Sequence, residues 1–261
     1  VTAAKKERAL LEVKDLAQHF GGLKAVDQVT LTIKAGEIVS VIGPNGAGKT
    51  TFFNVLTGVY PGTHGTILFD GSPVRGLPSE EIVARGIART FQNIRLFPDM
   101  TALENVMVGR HCRTRQFLLG PLLRTKAFRD EEAAVEAAAK DLLEFVGLKS
   151  LGNERARNLP YGAQRKLEIA RALASDPLLL ILDEPTAGMN PTECRDLVAL
   201  VRKVRERGVT VLLIEHQMRV VMDISDRVFV FDYGVKIAEG PPREVVANPR
   251  VIEAYLGKEA A

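Results

Sequence analysis

Gly43-Pro44-Asn45-Gly46-Ala47-Gly48-Lys49-Thr50 fits the pattern G-x-x-x-x-G-K-[ST] in full, and the fold follows from how it is read. Residues 38–42 before it are a near-continuous apolar run, and residues 49–58 after it read as a helix that stops on Gly58. Strand, glycine-rich turn and helix in that order are the context in which the pattern binds phosphate rather than matching by chance. Glycines let successive backbone N–H groups turn inward around a β-phosphate, and the helix N-terminus adds partial positive charge. Lys49 supplies a mobile ammonium for the β- and γ-phosphates, and the Thr50 hydroxyl is placed to ligate Mg2+. These eight residues, with Thr51 after them, are the expected ATP-binding set.

Downstream, residues 178–184 read Leu-Leu-Leu-Ile-Leu-Asp-Glu, a buried parallel strand ending in two carboxylates. Ligands of a parallel sheet bind at the carboxyl ends of its strands. Asp183 is therefore placed to hold Mg2+ through water, and Glu184 to polarise an attacking water. Alone, an Asp-Glu pair after a strand would read as an ordinary solvated loop. Further strands are expected at 10–13, 29–33, 66–69, 87–91 and 210–214, and helices at 80–85, 164–174 and 193–206. From 102 to 147 the chain turns rich in Ala, Leu and charge, with a helical pattern over 130–146 ended by Gly147. The alternation predicts an α/β fold: a mostly parallel sheet covered on both faces, with a helical lobe inserted. The tail from Pro249 carries Val251, Ile252, Tyr255 and Leu256 at helical spacing, the pattern of a helix docked on the core.

Composition narrows the function class. Lys and Arg exceed Asp and Glu by 35 to 32, a net +3 that makes no case for nucleic acid as a partner. Cys112 and Cys194 sit in no metal-ligand or redox spacing and read as reduced thiols of a cytosolic protein. The charged stretch Lys5-Lys6-Glu7-Arg8 has no signal-peptide apolar region behind it. The longest apolar runs, 178–182 and 209–214, are too short to span a bilayer, so any action on a membrane requires a separate membrane partner.

With phosphate loop and acid pair in place, essentially the whole chain resembles the ATP-binding cassette (ABC) ATPases. The resemblance implies a RecA-like P-loop core at about 10–92 and 160–240 with an antiparallel β subdomain, a helical lobe at 93–159 and a helical tail at 241–257, in one domain spanning 10–257. Gln92, in Thr90-Phe91-Gln92-Asn93, looks like the family glutamine that contacts Mg2+ or the attacking water and senses the membrane subunit. His216, after the strand 210–214, looks like the switch histidine that reaches the γ-phosphate, and Phe20 sits where the family stacks an aromatic on adenine, with core packing as the alternative. The family signature Leu-Ser-Gly-Gly-Gln appears as Leu159-Pro160-Tyr161-Gly162-Ala163, followed by Gln164. In the family this segment grips the γ-phosphate held by the opposite subunit. Pro160 supplies neither hydroxyl nor N–H, although its fixed φ suits the entry to a helix, and Gly162 with the N–H groups after it stays available. This implies a weakened γ-phosphate site and a second ATPase chain, identical or different. Asn190 stands where an aspartate is usual, keeping shape and hydrogen bonding without the charge.

Finer resemblance points to the ATPases of branched-chain amino acid importers, through 89–97, 167–173, 214–218 and the closing Ala254-Tyr255-Leu256-Gly257. Tyr161 is shared with that group, and the extra segment 111–129 resembles its longer, LivG-type member. This implies a subunit on the cytoplasmic face of the cell membrane, held there by integral permease subunits and served indirectly by a substrate-binding protein. An ATPase for lipopolysaccharide export and a soluble ABC ATPase acting on nucleic acid are the alternatives. Leu96, Phe97 and Met100 are candidate contacts for a permease helix, with lobe packing as the alternative. The basic residues Arg110, Arg113, Arg115, Arg124, Lys126 and Arg129 read as a solvated face rather than a lipid-binding one.

Overall fold

A computed structural model describes residues 8–114 and 126–256. Strand β3 (Ile38–Ile42) is buried along its whole length. Its neighbours in the six-stranded sheet are β8 (Thr210–Ile214) and β9 (Arg227–Asp232), both parallel to it. Beyond β8 lie β7 (Leu179–Asp183) and β6 (Ile87–Arg89), also parallel, and β10 (Val235–Gly240) closes the far edge antiparallel to β9. Chain order reverses across β3, which makes its carboxyl end the place where loops part and a ligand crevice opens.

Alternate residues of the central strands feed different cores. Leu179, Ile181, Leu212 and Ile214 point to one cluster, which also holds Val39, Val41, Phe52 and Phe53. Leu180, Leu182, Val211 and Leu213 point to the other, with Leu197, Val201 and the helical lobe. Burial of both faces explains why these strands read as unbroken apolar runs. On the first face lies a second, antiparallel sheet in the order β2-β1-β4-β5, made of β1 (Ala9–Phe20), β2 (Leu23–Lys34), β4 (His64–Phe69) and β5 (Ser72–Pro73).

Strands β1 and β2 are twelve residues each, far longer than the segments expected at 10–13 and 29–33. Their register shifts between Val13 and Leu16, and Asp15 and Gln28 sit at φ 48° and 50°. These irregularities break the period-2 pattern on which strand recognition depends. Strand β6 stops at Arg89 rather than at 91. The hairpin of β9 and β10 escaped the sequence reading because its turn, Tyr233-Gly234 at φ 41° and 81°, lacks the usual Asn-Gly or Asp-Gly.

Helix α1 (Lys49–Leu56) follows the glycine-rich turn, and α2 (Ser79–Ala84) precedes β6. The inserted lobe contains α3 (Ala102–Gly109), started by a Thr101/Glu104 capping box, and α4 (Lys126–Phe145). Helix α4 ends in a Schellman arrangement: Leu148 N–H donates to Leu143 O and Gly147 N–H to Glu144 O, with Gly147 at φ 78°. Helix α5 (Tyr161–Leu173) starts three residues before the expected 164, because Pro160 serves as its N-cap. Helix α6 (Pro191–Glu206) and α7 (Met218–Ile224) complete the second face, followed by α8 (Pro242–Val246) and α9 (Pro249–Leu256). Val251 of α9 is buried with Ile42, Val228 and Val230, so the tail does dock on the core, directly behind the end of β3.

Among the described residues no helix is long and apolar enough to cross a membrane. Of the basic cluster, Arg115 and Arg124 lie outside the described residues. Arg110 and Arg113 do not form a solvated face. Arg110 Nη1 donates to Asp176 Oδ2 at 3.0 Å, and Arg113 Nε to Ser175 O at 2.7 Å, so both clasp the chain just beyond the C-terminus of α5.

Candidate functional site

The turn between β3 and α1 is shaped by two glycines that no other residue could replace. A Cβ on Gly43, at φ 151°, would lie 2.1 Å from Phe231 O, and one on Gly48, at φ 92°, would lie 2.2 Å from Ala25 O. Gly48 is the left-handed N-cap of α1, and no side chain caps the helix. The first-turn N–H groups and the positive end of the helix dipole therefore face a concave loop, an arrangement suited to an anion. Lys49 is 7 % exposed, and its Nζ donates to Gly43 O at 2.6 Å and Pro44 O at 2.8 Å within the loop. Burial pushes the Lys49 ammonium below the usual lysine range, against the opposing pull of Glu184 and Asp183.

The loop opens onto a cleft of about 450 Å³ lined by Asn45 through Thr51, by Gln92, Glu184 and His216, and by Leu23, Lys24, Ala25 and Tyr233. Gln92, Glu184 and His216, from three separate strand ends, meet in one cluster. Gln92 Nε2 donates to Glu184 Oε2 at 3.0 Å, and His216 Nε2 lies 2.5 Å from Glu184 Oε1. Strand register explains the meeting: Asp183 pairs with Ile214, and Arg89 with Ile181, so the residues just beyond them emerge side by side. Glu184 has φ 47°, a left-handed conformation rare for a side chain of this size, with its N–H donating to Ile214 O. Such a conformation costs of order 1–3 kcal/mol and persists only where its surroundings impose it. Part of the imposition comes from Glu215, 2 % exposed, which accepts from Thr186 N, Thr186 Oγ1 and His216 N and so clamps the β7 and β8 loops together.

Asp183 lies deeper than expected. It is 5 % exposed, is not among the cleft-lining residues, and pairs through Oδ2 with Arg89 Nη2 at 2.8 Å. Arg89 also donates to Asn54 Oδ1 and Thr57 Oγ1 of α1 and its cap. Sequence reasoning missed Arg89: a charged residue at the end of a short strand carries no signal of its partner 94 positions away.

Phe20 is likewise displaced from the expected set. It is 43 % exposed at the tip of the β1–β2 hairpin, its ring edge-on to Tyr60 at 5.2 Å, and it does not line the cleft. The aromatic at the cleft wall is Tyr233, on the β9–β10 turn.

None of the residues from Leu159 to Gln164 lines the cleft either. Pro160, at φ −55°, caps α5, and its carbonyl accepts from Ala163 N and Gln164 N at 2.9 and 3.0 Å. Those two N–H groups are thus engaged within the helix, a correction to the expectation that the donors after Gly162 are available. Gly162 is crowded: a Cβ there would stand 2.9 Å from Glu193 Oε1. Gln164 turns back to donate to Leu159 O. Asn190 caps α6, accepting from Thr192 N and Glu193 N, while Glu193 Oε2 accepts from Asn190 N. Asn and Asp serve equally as N-caps, so the missing charge leaves this local role intact.

The tail adds a second concavity on the other side of the loop, about 510 Å³, between Pro44 to Ala47 and residues Arg250, Glu253 and Ala254 of α9. Burial raises the Tyr255 phenol above its ordinary range, against a backbone hydrogen bond with Gly43.

Residues 26–187 match the family described as ABC transporter, and residues 235–261 match one described as Branched-chain amino acid ATP-binding cassette transporter. The chain is 50 % identical over 252 residues to the high-affinity branched-chain amino acid transport ATP-binding protein BraF of Pseudomonas aeruginosa, covering 96 % of this chain and 99 % of that protein. It is 48 % identical over 250 residues to LivG of Escherichia coli, a protein of the same description, covering 95 % and 98 %. Among solved structures, the ADP conformation of the ATP-binding cassette MJ1267 superposes with a TM-score of 0.84 at 34 % identity, covering 96 % of this chain and all of that one. A dimeric cassette, MJ0796 in a post-hydrolysis state bound to ADP and Pi, superposes with a TM-score of 0.74 at 27 % identity, covering 89 % and 99 %.

Proposed function

Because the chain belongs to the ABC transporter family, as an ATP-hydrolysing transporter subunit, we propose that it powers import of branched-chain amino acids. One observation carries the catalytic part: Glu184 sits at the mouth of the phosphate-loop cleft with Gln92 and His216 both bound to its carboxylate. The relatives BraF and LivG, matched over nearly their whole length, support the cargo over lipopolysaccharide export or an action on nucleic acid.

In this reading the loop from Gly43 to Thr51 cradles the ATP phosphates, with Lys49 exchanging the carbonyls of Gly43 and Pro44 for the β- and γ-phosphates. Glu184 accepts a proton from the attacking water, and His216 and Gln92 hold that carboxylate and the γ-phosphate in line. The hydroxyl of Thr50, the side chain of Gln92 and, through water, Asp183 are a hard-oxygen donor set suited to Mg2+, which would neutralise charge between the phosphates. Phe20, exposed at the tip of the β1–β2 hairpin, would stack on adenine. Residues Leu159, Pro160, Tyr161, Gly162, Ala163 and Gln164 do not line this cleft and would complete the one on a second ATPase chain, as the dimeric state of the solved cassette MJ0796 supports. Phe97 and Met100, exposed on the segment after Gln92, would receive a helix of the integral membrane subunits, which hold the protein at the cytoplasmic face.

Lys49 allows a pH test of the phosphate site. Its ammonium binds phosphate, and burial lowers its pKa in the free protein. Nucleotide binding above that pKa requires proton uptake, so the Kd for ADP should rise about tenfold per pH unit, beginning below the ordinary lysine value of about 10.4. Calorimetric titration between neutral and alkaline pH checks this, with Lys49→Arg expected to flatten the rise. A flat profile for the unaltered protein would remove Lys49 from the phosphates.

The cargo is tested by reconstituting the chain in vesicles with the membrane subunits that co-purify with it. Hydrolysis should be stimulated by a leucine-loaded binding protein. Equal stimulation by an unrelated amino acid would sink the cargo and leave the ATPase reading standing.

A further inference from the structure

We infer that Tyr161 and Arg165 are a positioning pair that ties Gln92 and the Ala187–Gly188 turn to the start of α5, so that Glu184 is held from two sides by one helix. This rests on the role proposed for Glu184. Arg165 is 3 % exposed. Its guanidinium donates to Phe91 O at 2.8 Å, to Gln92 O and to Tyr161 Oη at 3.0 Å, and pairs with Glu168 at 3.2 Å. A planar fork of fixed donors sets the relative orientation of everything it binds. The Tyr161 hydroxyl accepts from Arg165 and donates to Ala187 O at 2.9 Å.

Both routes end on the same residue. From Gln92 the side chain continues to Glu184 Oε2 at 3.0 Å, and from Ala187 the N–H returns to Glu184 O at 3.1 Å. The signature pattern has glycine where Tyr161 stands, and a glycine could make none of these bonds. Core packing does not account for the pair. Tyr161 is 43 % exposed, and a buried guanidinium without acceptors is strongly destabilising, so Arg165 is tolerated because of the Glu168 carboxylate and the loop carbonyls together.

Tyr161→Phe removes only the hydroxyl. Its kcat for ATP hydrolysis is expected to fall about tenfold, the equivalent of one charge-assisted hydrogen bond, with KM for ATP within about twofold of the original. Arg165→Lys keeps the charge, loses the fork and should fall at least as far. Because Arg165 binds Phe91 O and Gln92 O directly and reaches Ala187 only through Tyr161, most of its effect passes through Gln92 and the effects should not multiply. Arg165→Lys with Gln92→Ala is expected within about threefold of Gln92→Ala alone. Unchanged kcat in Tyr161→Phe, or full multiplication in the double variant, overturns the inference. Should Arg165→Lys fail to fold, Tyr161→Phe, which keeps the ring against Gly188, decides alone. Glu184→Gln in the same assay separates the two readings. If it turns over normally, the role of Glu184 fails; if it is inactive while Tyr161→Phe matches the original protein, only the positioning pair fails.

Discussion

Glu184→Gln should reduce ATP turnover by about 10²–10⁴-fold, the usual contribution of a positioned general base, while nucleotide remains bound. The substitution keeps the length and branching of the side chain, so the left-handed backbone at φ 47° and the bond from Glu184 N–H to Ile214 O are preserved. An amide oxygen can still accept from Gln92 Nε2. What disappears is the charge that takes a proton from water and the pairing with His216 at 2.5 Å. The phosphate contacts of the loop from Gly43 to Thr51 are untouched, so binding energy and chemistry separate cleanly in the measurement. Single-turnover hydrolysis beside equilibrium ATP binding is the check. The expected product is a long-lived ATP-bound form, which size-exclusion chromatography should show as a dimer if two chains close around the nucleotide. Hydrolysis at the original rate would remove Glu184 from its assigned role, and loss of binding would make its role that of a structural support for the loop.

The largest expected effect on stability belongs to Arg89. Its ion pair with Asp183 is 6 % and 8 % exposed on the two sides. Arg89→Met leaves the Asp183 carboxylate buried without its cation, a change that costs about 3–5 kcal/mol in comparable buried pairs. It also cuts the bonds from Arg89 to Asn54 and Thr57, which tie β6 to α1. For a chain of this size a loss of that order lowers the thermal midpoint by roughly 6–20 °C. Adding Asp183→Leu should restore most of the midpoint, because replacing a whole buried pair with apolar residues is often neutral, yet hydrolysis should stay low in the double variant. Scanning calorimetry on the two variants tests this. A midpoint for Arg89→Met within a degree or two of the original would mean that water reaches the pair and that Asp183 is less buried in solution than the geometry indicates.

Several features were legible in the sequence because their cause is local. The phosphate loop is a contiguous run in which each glycine answers a backbone requirement, and the apolar strands 38–42, 178–182 and 210–214 need no partner to be recognised. His216 was found by the same logic, from its place just after a buried run. Features with a distributed cause were hidden. The bulges at Asp15 and Gln28 remove the alternation that would have revealed the length of β1 and β2. The fixed φ of Pro160 suited the entry to a helix, yet the first helical residue, Tyr161 rather than Gln164, depends on Pro160 acting as the cap. Arg113, placed with other basic residues in a solvated face, is bound to the carbonyls of Ser175 and Ala84, two segments far from it in the chain.

By itself the sequence determined the class of fold, the phosphate loop, and the strand ends from which Gln92, Asp183, Glu184 and His216 emerge. Each depends on interactions within a few residues or on a periodicity of burial. Only the tertiary structure decided which of those residues touch: Gln92 and His216 on Glu184, Arg89 on Asp183 beneath the cleft, Phe20 outside it and Tyr233 at its wall. The phosphate loop also acquired its limits there. Gly43 and Gly48 are required not by the phosphate alone but by the backbones of Phe231 and Ala25, which approach to where a Cβ would stand. Such contacts are set by strand register and sheet order, which bring Phe231 to Gly43 across 188 residues and Ala25 to Gly48 across 23, and leave no mark in the local sequence.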